Sequence, residues 1–468
     1  MCGINIFNIL NTTIEEVNYH CQKRGPDYTN ILFNHGITFI HNLLSITGNK
    51  TIQPFQKNNI ICLFNGEIYN YKDIEINNEK KNYNSDGECI IDLYLNYGLH
   101  FHSKLDGEFA IVIFDFNISK CYTITDPMGT KPLFYSLLDN GRFMFSSYSR
   151  CLEVNKMEKI KKIKANTLIT FELIKINTTN NDFGLKYINE INLWKFDLHQ
   201  YKTNYDDWIK QFEKSIEKRV ANFKKPLFVS LSSGYDSGAI CCTLNKLNKK
   251  YETFTIKGKE DINVLKNRFE INKKCGNHSN IFFLNEDLIL KEKQRNEKEC
   301  SNYIKNIKRN NPDKQYSVLR DRALNGGGYI AKHAKEKGYI VCLSGQGADE
   351  ILSDYGFNGQ KKTWHSCFGG LFPNNLNNII NQDNIEESIW ESFQDGINEA
   401  LIMKEESIYG SYGIETRYPF LDKDLIQEFL WLSPKLKNNA FKAPLDYYLT
   451  NNNYPFKKNE KIGLNCLY

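Results

Sequence analysis

Pro226-Leu227-Phe228-Val229-Ser230-Leu231-Ser232-Ser233-Gly234-Tyr235-Asp236-Ser237-Gly238-Ala239-Ile240-Cys241 reads in three parts. Pro226 to Val229 is a short apolar run, Ser230 to Ser237 is a loop of small residues, and Gly238 to Cys241 opens a helix-compatible segment. Small side chains let backbone N–H groups approach an anion, and a helix N-terminus behind them adds partial positive charge. No Gly-Lys-Ser/Thr triplet ends the loop, so it is not a Walker loop. Lys337 to Glu350, KGYIVCLSGQGADE, repeats the grammar with a second Gly-rich turn, and the pair predicts a parallel α/β sheet. Asp236 and Asp349 then stand at neighbouring strand ends, where two carboxylates suit Mg²⁺ held against triphosphate oxygens. An ordinary strand-to-helix turn reads the same way in either loop alone, with Asp349 and Glu350 favouring a helix dipole. Two such loops in one half favour the binding reading.

Upstream, DDWIKQFEKSIEKRV (206–220) places apolar residues at helical spacing between charges, an amphipathic helix. The first half reads mostly as strands: GITFIHNLL, IICLFNG, FAIVIFD, CYTITD and RFMFSS are separated by Gly, Asn and Asp clusters, as in antiparallel sheets. IKANTLITFELIKI and the polar stretch NTTNNDFG supply the last strands and an exposed turn. The boundary falls near 190 to 205, giving domains over 1–190 and 205–468. A chain of 468 residues with 41% hydrophobic content exceeds one core, in agreement with that division.

The net charge is only +5, with 60 basic residues interleaved among 55 acidic ones, so no concentrated basic face for nucleic acid is expected. Thirteen cysteines without a CxxC pair argue for a reducing compartment, and no apolar run or leader-like N-terminus suggests a membrane or secretion. A cytoplasmic protein without membrane partners is expected. The nine histidines are dispersed and propose no metal site.

The first loop resembles the SGGxDS pyrophosphate loop of the ATP pyrophosphatases, and the second the SGEGxDE segment of the asparagine synthetases. Gly413-Ile414-Glu415-Thr416-Arg417-Tyr418-Pro419-Phe420-Leu421-Asp422 is similar to that family's GxExRxPFLD stretch. Met1-Cys2-Gly3-Ile4, Arg24-Gly25-Pro26-Asp27, Asn65-Gly66-Glu67-Ile68-Tyr69-Asn70 and Ser85-Asp86-Gly87-Glu88 resemble its N-terminal motifs in the family's order. Leu105 to Ala110 and Asp126 to Leu133 match as structural segments.

The resemblance implies an αββα N-terminal-nucleophile glutaminase domain followed by an adenine nucleotide α-hydrolase-like parallel-sheet domain. It implies a glutamine-dependent asparagine synthetase: glutamine and aspartate as substrates, ATP and Mg²⁺ as cofactors, an aspartyl-AMP intermediate and an interior ammonia path. Cys2, freed by removal of Met1, is the implied nucleophile, because its own α-amine, with a reference pKa of about 7.7 to 8.0, takes the thiol proton. Asn65 and Gly66 form the implied oxyanion hole. Glu67 and Asp86 are implied for glutamine, Asp86 receiving its α-amine, and Gln346 for the acceptor. Ser232, Ser233, Gly234, Asp236, Ser237, Ser344, Gly345 and Lys442 are implied for the nucleotide, with Asp236 and Asp349 on the metal. For Lys442 a solvated surface lysine is the other reading. A homodimer is left open.

The chain departs from the family at named positions. Leu43 stands where RLSI supplies the arginine that forks the glutamine α-carboxylate, and such a contact is worth about 1.5 to 3 kcal/mol. Gln346 replaces the Glu of SGEG, keeping hydrogen bonds while losing charge. Ser233 replaces a loop glycine, and the shorter tail after Leu464 implies a reduced C-terminal lid. These changes leave two alternatives open: an adenylating enzyme with another acceptor, similar to the β-lactam synthetases, or a non-catalytic binding protein.

Overall fold

All nine residues of the strand Ile60–Ile68 are buried, which requires cover on both faces. Side chains alternate across a strand, so Ile60, Cys62 and Phe64 join one core while Ile61 and Leu63 join another. That alternation fixes the layers of the first half. The computed structural model describes residues 2–9, 12–177, 182–300, 303–306, 315–352, 371–377, 389–390 and 392–460. The middle of the polar turn, 178–181, and the tail from 461 lie outside the described residues.

The chain separates into two units: Met1–Lys195 with Asn222–Lys224 and Gly410–Gly413, and Phe196–Ala221, Lys225–Tyr409 and Ile414–Tyr468. Besides a small hairpin (Glu75–Ile76 with Glu79–Lys80), the strands of the first are β1 (Gly3–Phe7), β2 (Tyr28–Asn34), β3 (Ile37–Leu43), β4 (Phe55–Lys57), β5 (Ile60–Ile68), β6 (Gly107–Asp115), β7 (Lys120–Thr125), β8 (Phe134–Leu137), β9 (Phe143–Ser146), β10 (Lys161–Lys162), β11 (Thr167–Asn177) and β12 (Asp182–Asn192). They form two antiparallel sheets, ordered β10-β8-β9-β1-β3-β2 and β12-β11-β7-β6-β5-β4. Ile4, Phe39 and Phe145 of the first sheet meet Val112, Phe114 and Phe171 of the second in the inner core. The outer face of the second sheet packs Phe109, Ile111 and Ile113 against a helix that carries Ile90 and Leu93. Short helices, α1 (Ile14–Asn18) and α3 (Ser149–Val154), cover the first sheet, and α2 (Cys89–Tyr97) the second. The four layers are αββα.

The second unit begins with α4 (Asp206–Ala221), the expected amphipathic helix, burying Trp208, Phe212 and Ile216. Its sheet is parallel, built from β13 (Leu227–Ser230), β14 (Glu252–Ile256), β15 (His278–Phe282), β16 (Val341–Leu343) and β17 (Glu415–Arg417) in the order β15-β14-β13-β16-β17. The chain runs outward from β13 to β15 and then returns to the other side of β13. Helices α5 (Tyr235–Lys246), α6 (Ile262–Lys274), α7 (Glu286–Glu299), α8 (Arg322–Glu336), α9 (Ala348–Leu352), α10 (Gly396–Gly410), α11 (Lys423–Trp431) and α12 (Ala443–Asn451) follow or flank the strands. In such sheets a crevice opens at the carboxyl ends of the strands where the order reverses, here between β13 and β16. Among the described residues no helix is long and apolar enough to cross a membrane.

Gly413 to Asp422 turns out to be scaffold. Arg417 is buried with Nε 2.7 Å from Glu415 Oε1 and donates through Nη1 to Arg219 O at 2.6 Å. Asp422 caps α11 through the N–H groups of Asp424 and Leu425, and takes Arg219 Nη1 at 3.0 Å together with the Lys218 ammonium. Burial would raise its pKa, but the two cations outweigh burial and hold the carboxyl well below the usual range. Removing one partner of a buried pair leaves the other charge uncompensated. Asp422→Ala is therefore expected to cost about 3 to 5 kcal/mol. Urea unfolding followed by tryptophan fluorescence checks this.

Candidate functional site

In the first unit, β1 carries Cys2 into a buried position, where Cys2 N donates to Asn65 Oδ1 at 3.0 Å. Asn65 is fully buried within β5, and its Nδ2 has no hydrogen-bond partner among the described residues. An unpaired buried N–H₂ is costly unless a ligand uses it. Gly66 follows at φ +148°, and a Cβ there would lie 2.0 Å from Glu108 O, so only glycine is accommodated. Asp86 and Glu67 are both buried, Asp86 Oδ2 accepting from Ile68 N at 2.9 Å. Burial first, then the charges of Asp86 and Glu67, raise the pKa of Tyr71, which places both carboxylates in one neighbourhood.

Arg24 has a role that sequence did not disclose. It is fully buried, donates from Nε to Cys2 O at 3.2 Å, and lies 5.0 Å over the Tyr148 ring. The guanidinium thus holds the Cys2 backbone. A Cβ on Gly25 would lie 2.0 Å from Asn42 O, so the RGPD turn wraps tightly on β3. Leu43, the last residue of β3, is buried and supplies no charge. Beneath β1, Asn18 Oδ1 receives Nδ2 of both Asn5 and Asn42, at 3.0 and 2.7 Å, and Ser147 Oγ accepts from Ile4 N at 3.1 Å. These polar residues carried no motif.

In the second unit, the two loops meet at the β13/β16 switch point around a cavity of about 350 Å³. Ser232, Asp236, Ser237, Ser344, Gly345, Gln346 and Asp349 line it. A Cβ on Gly345 would lie 2.9 Å from Asp236 Cβ, so the loops are in contact. Lys442 Nζ lies 2.6 Å from Asp236 Oδ1 and 2.7 Å from Asp349 Oδ1, and its side chain is only 3% exposed. The surface-lysine reading fails on this burial. Lys442 precedes α12 with φ +49° and ψ +49°, a left-handed conformation unusual for a residue with a Cβ.

Two of the residues expected at the nucleotide are turned toward the scaffold. Ser233 does not line the cavity, because its backbone N–H and its Oγ both donate to Glu260 Oε2 at 2.5 Å. Gly234 likewise lies off the wall, its carbonyl receiving Arg268 Nη1 at 2.9 Å, while the same guanidinium nitrogen takes Ser232 O at 2.6 Å. Glu260 and Arg268 shape the loop from behind, and Gly238 leaves room for Arg268 Nη2, which a Cβ would approach to 2.4 Å. Gln346 donates from Nε2 to Glu350 Oε2 at 3.2 Å. Asp321, Lys404, Glu405 and Tyr409 also line the cavity and had been missed. They lie far from either loop in sequence.

Asp236 and Asp349 converge on a single cation, so their oxygens fit a hard divalent ion. No group of three or more His, Cys, Asp or Glu suited to a metal occurs among the described residues. Water and phosphate oxygens would have to complete the shell, as is usual for Mg²⁺.

Residues 1–195 match the family model described as a glutamine amidotransferase domain. Asparagine synthetase [glutamine-hydrolyzing] 2 of Bacillus subtilis (strain 168) is 26% identical, covering 96% of this chain and 70% of that protein. Over most of its length the chain is similar to the glutamine-hydrolysing asparagine synthetases. Synthetase 1 of the same organism is 27% identical over 76% of this chain and 59% of its own length. Synthetase 2 of Oryza sativa subsp. japonica is 24% identical over 93% and 70%. The chain thus spans 59% to 70% of the length of these synthetases.

Between Asp236 and Asp349 the Lys442 ammonium cancels like charges that would otherwise repel. Lys442→Met is expected to lower Tm in the absence of divalent cations, and millimolar Mg²⁺ to restore most of the loss. Thermal unfolding with and without MgCl₂ measures both; an unchanged Tm contradicts the arrangement.

Proposed function

We propose that the chain is a glutamine-dependent asparagine synthetase. The observation that carries the reading is Asn65, whose Oδ1 holds the Cys2 nitrogen while Nδ2 remains unpaired beside it. Once Met1 is removed, that nitrogen is an α-amine with a reference pKa of about 7.7 to 8.0, and it takes the Cys2 proton. The thiolate attacks the glutamine side-chain carbonyl. Asn65 Nδ2 and the Gly66 N–H stabilise the developing oxyanion, and Asp86 with Glu67 receives the glutamine α-ammonium. Ammonia leaves, and water hydrolyses the glutamyl thioester.

In the second unit the small-residue loop and Ser344-Gly345 cradle the ATP phosphates, and Lys442 moves from the carboxylates to phosphate oxygen. Asp236 and Asp349 would hold Mg²⁺, which would neutralise phosphate charge there. The aspartate β-carboxylate attacks the α-phosphorus, pyrophosphate leaves, and ammonia displaces AMP from the acyl-adenylate. The hydrogen bond from Gln346 to Glu350 favours a second reading, adenylation of a different carboxylic acid, since the cavity wall carries an amide there.

Purified chain with ATP, Mg²⁺, aspartate and either glutamine or ammonium, assayed for pyrophosphate and asparagine, separates the readings. Asparagine from both nitrogen sources is expected, with a high KM for glutamine because Leu43 offers no carboxylate clamp. Pyrophosphate released only with another acid favours the second reading. Cys2→Ala is expected to abolish glutamine-dependent turnover and spare ammonia-dependent turnover. Asn65→Ala should cost about 10²- to 10³-fold in glutaminase kcat. Equal loss with both nitrogen sources contradicts the assignment.

A further inference from the structure

The cavity at the switch point has a second wall, made by the start of α8 and by α10, which the nucleotide-binding reading leaves without a task. Asp321, Leu324, Leu401, Lys404, Glu405 and Ile408 form it. Lys404 is the one cation among the described residues lining the cavity. Its side chain is 13% exposed and its Nζ donates to Asp321 Oδ2 at 3.0 Å. An ammonium has three N–H donors, so this bond leaves capacity for a ligand.

Asp321 is held on several sides. Oδ1 caps α8 by accepting from Ala323 N at 2.8 Å, and the Tyr316 hydroxyl donates to Oδ2. Burial alone would raise its pKa, but the Lys404 charge and the Tyr316 hydroxyl lower it overall, so the carboxylate keeps its charge. A fixed positive and a fixed negative group therefore sit side by side on the wall, with Glu405 next in sequence and leucine and isoleucine side chains around them.

This charge pattern rejects a phosphate, which would face Asp321 and Glu405 as well as Lys404. It accepts a ligand that brings an ammonium and a carboxylate together. We propose that Lys404 and Asp321, with Glu405, recognise the zwitterionic head of an α-amino acid acceptor, the carboxylate on Lys404 and the ammonium on the acidic pair. Lys404 is thereby the specificity-determining residue for the acceptor. The inference rests on the synthetase reading and assigns within it the group that selects an amino acid over a simple carboxylic acid.

Lys404 also ties α8 to α10, so its test must separate recognition from tethering. Steady-state pyrophosphate release is measured for wild type, Lys404→Met and Lys404→Arg with ammonium as the nitrogen source, varying aspartate and ATP in turn. Loss of a charged hydrogen bond predicts a KM for aspartate raised about ten- to a hundredfold in Lys404→Met, with the KM for ATP within about twofold. Lys404→Arg is expected to recover most of the loss. Should turnover fall below detection, the thermal shift given by aspartate beside a non-hydrolysable ATP analogue makes the same comparison; it is expected to vanish in Lys404→Met and persist in Lys404→Arg. Equal rises in both KM values, or an unchanged aspartate response, overturn the proposal and leave the pair a tether. Wild type that releases pyrophosphate with no amino acid overturns the synthetase reading together with it.

Discussion

One ammonium between two carboxylates organises the second unit. Asp236 comes from the start of α5, Asp349 from α9 and Lys442 from the residue before α12, so the contact ties three distant stretches of chain to the mouth of one sheet. Like charges that close would repel strongly at reduced dielectric, and the lysine removes that cost. Its left-handed backbone carries about 1 to 2 kcal/mol of strain, which persists only where the surroundings enforce it. The surroundings do so. Gly345 lies against Asp236, Gly347 leaves space for Leu421, and Asp422, next to Leu421, anchors α11 and α4.

The first unit follows a comparable logic with neutral groups. Asn65 divides its amide, the oxygen fixing the Cys2 backbone and the nitrogen without a hydrogen-bond partner among the described residues. Arg24 reaches the other side of the same residue through Cys2 O. Cys2 is therefore positioned through both polar groups of its backbone.

The strands and the surface helix were legible because their signal is local: the apolar runs at 60–68 and 109–115 and the helical spacing of 206–220 need only neighbouring residues to be read, whereas the four-layer order came from the family resemblance. The two loops were legible as a pair, because two Gly- and Ser-rich turns after buried strands reinforce each other, whereas the Cys2, Asn65 and Asp86 segments were legible only through their resemblance to the family's motifs. What sequence could not give depends on distance in space. Ser233 looks like its loop neighbours, yet Glu260, twenty-seven positions away, takes both of its donors. Lys404 and Asp321 are ordinary charges on helices until the cavity joins them, eighty-three positions apart. Arg24 sits in a recognisable turn, but only its burial shows that it faces Cys2 and not solvent. Strands of three residues such as β16 and β17 carry too little pattern for their order in the sheet to be inferred.

The central claim is that the cavity between the two loops activates a carboxylate as an acyl-adenylate. Aspartate labelled with oxygen-18 in its β-carboxylate tests it directly, by mass spectrometry of the nucleotide product after turnover with ATP and ammonium. One labelled oxygen in AMP is the predicted result, because the carboxylate oxygen bonded to the α-phosphorus stays with it when ammonia attacks the carbonyl carbon. Unlabelled AMP, or label found in inorganic phosphate beside ADP, would contradict the account.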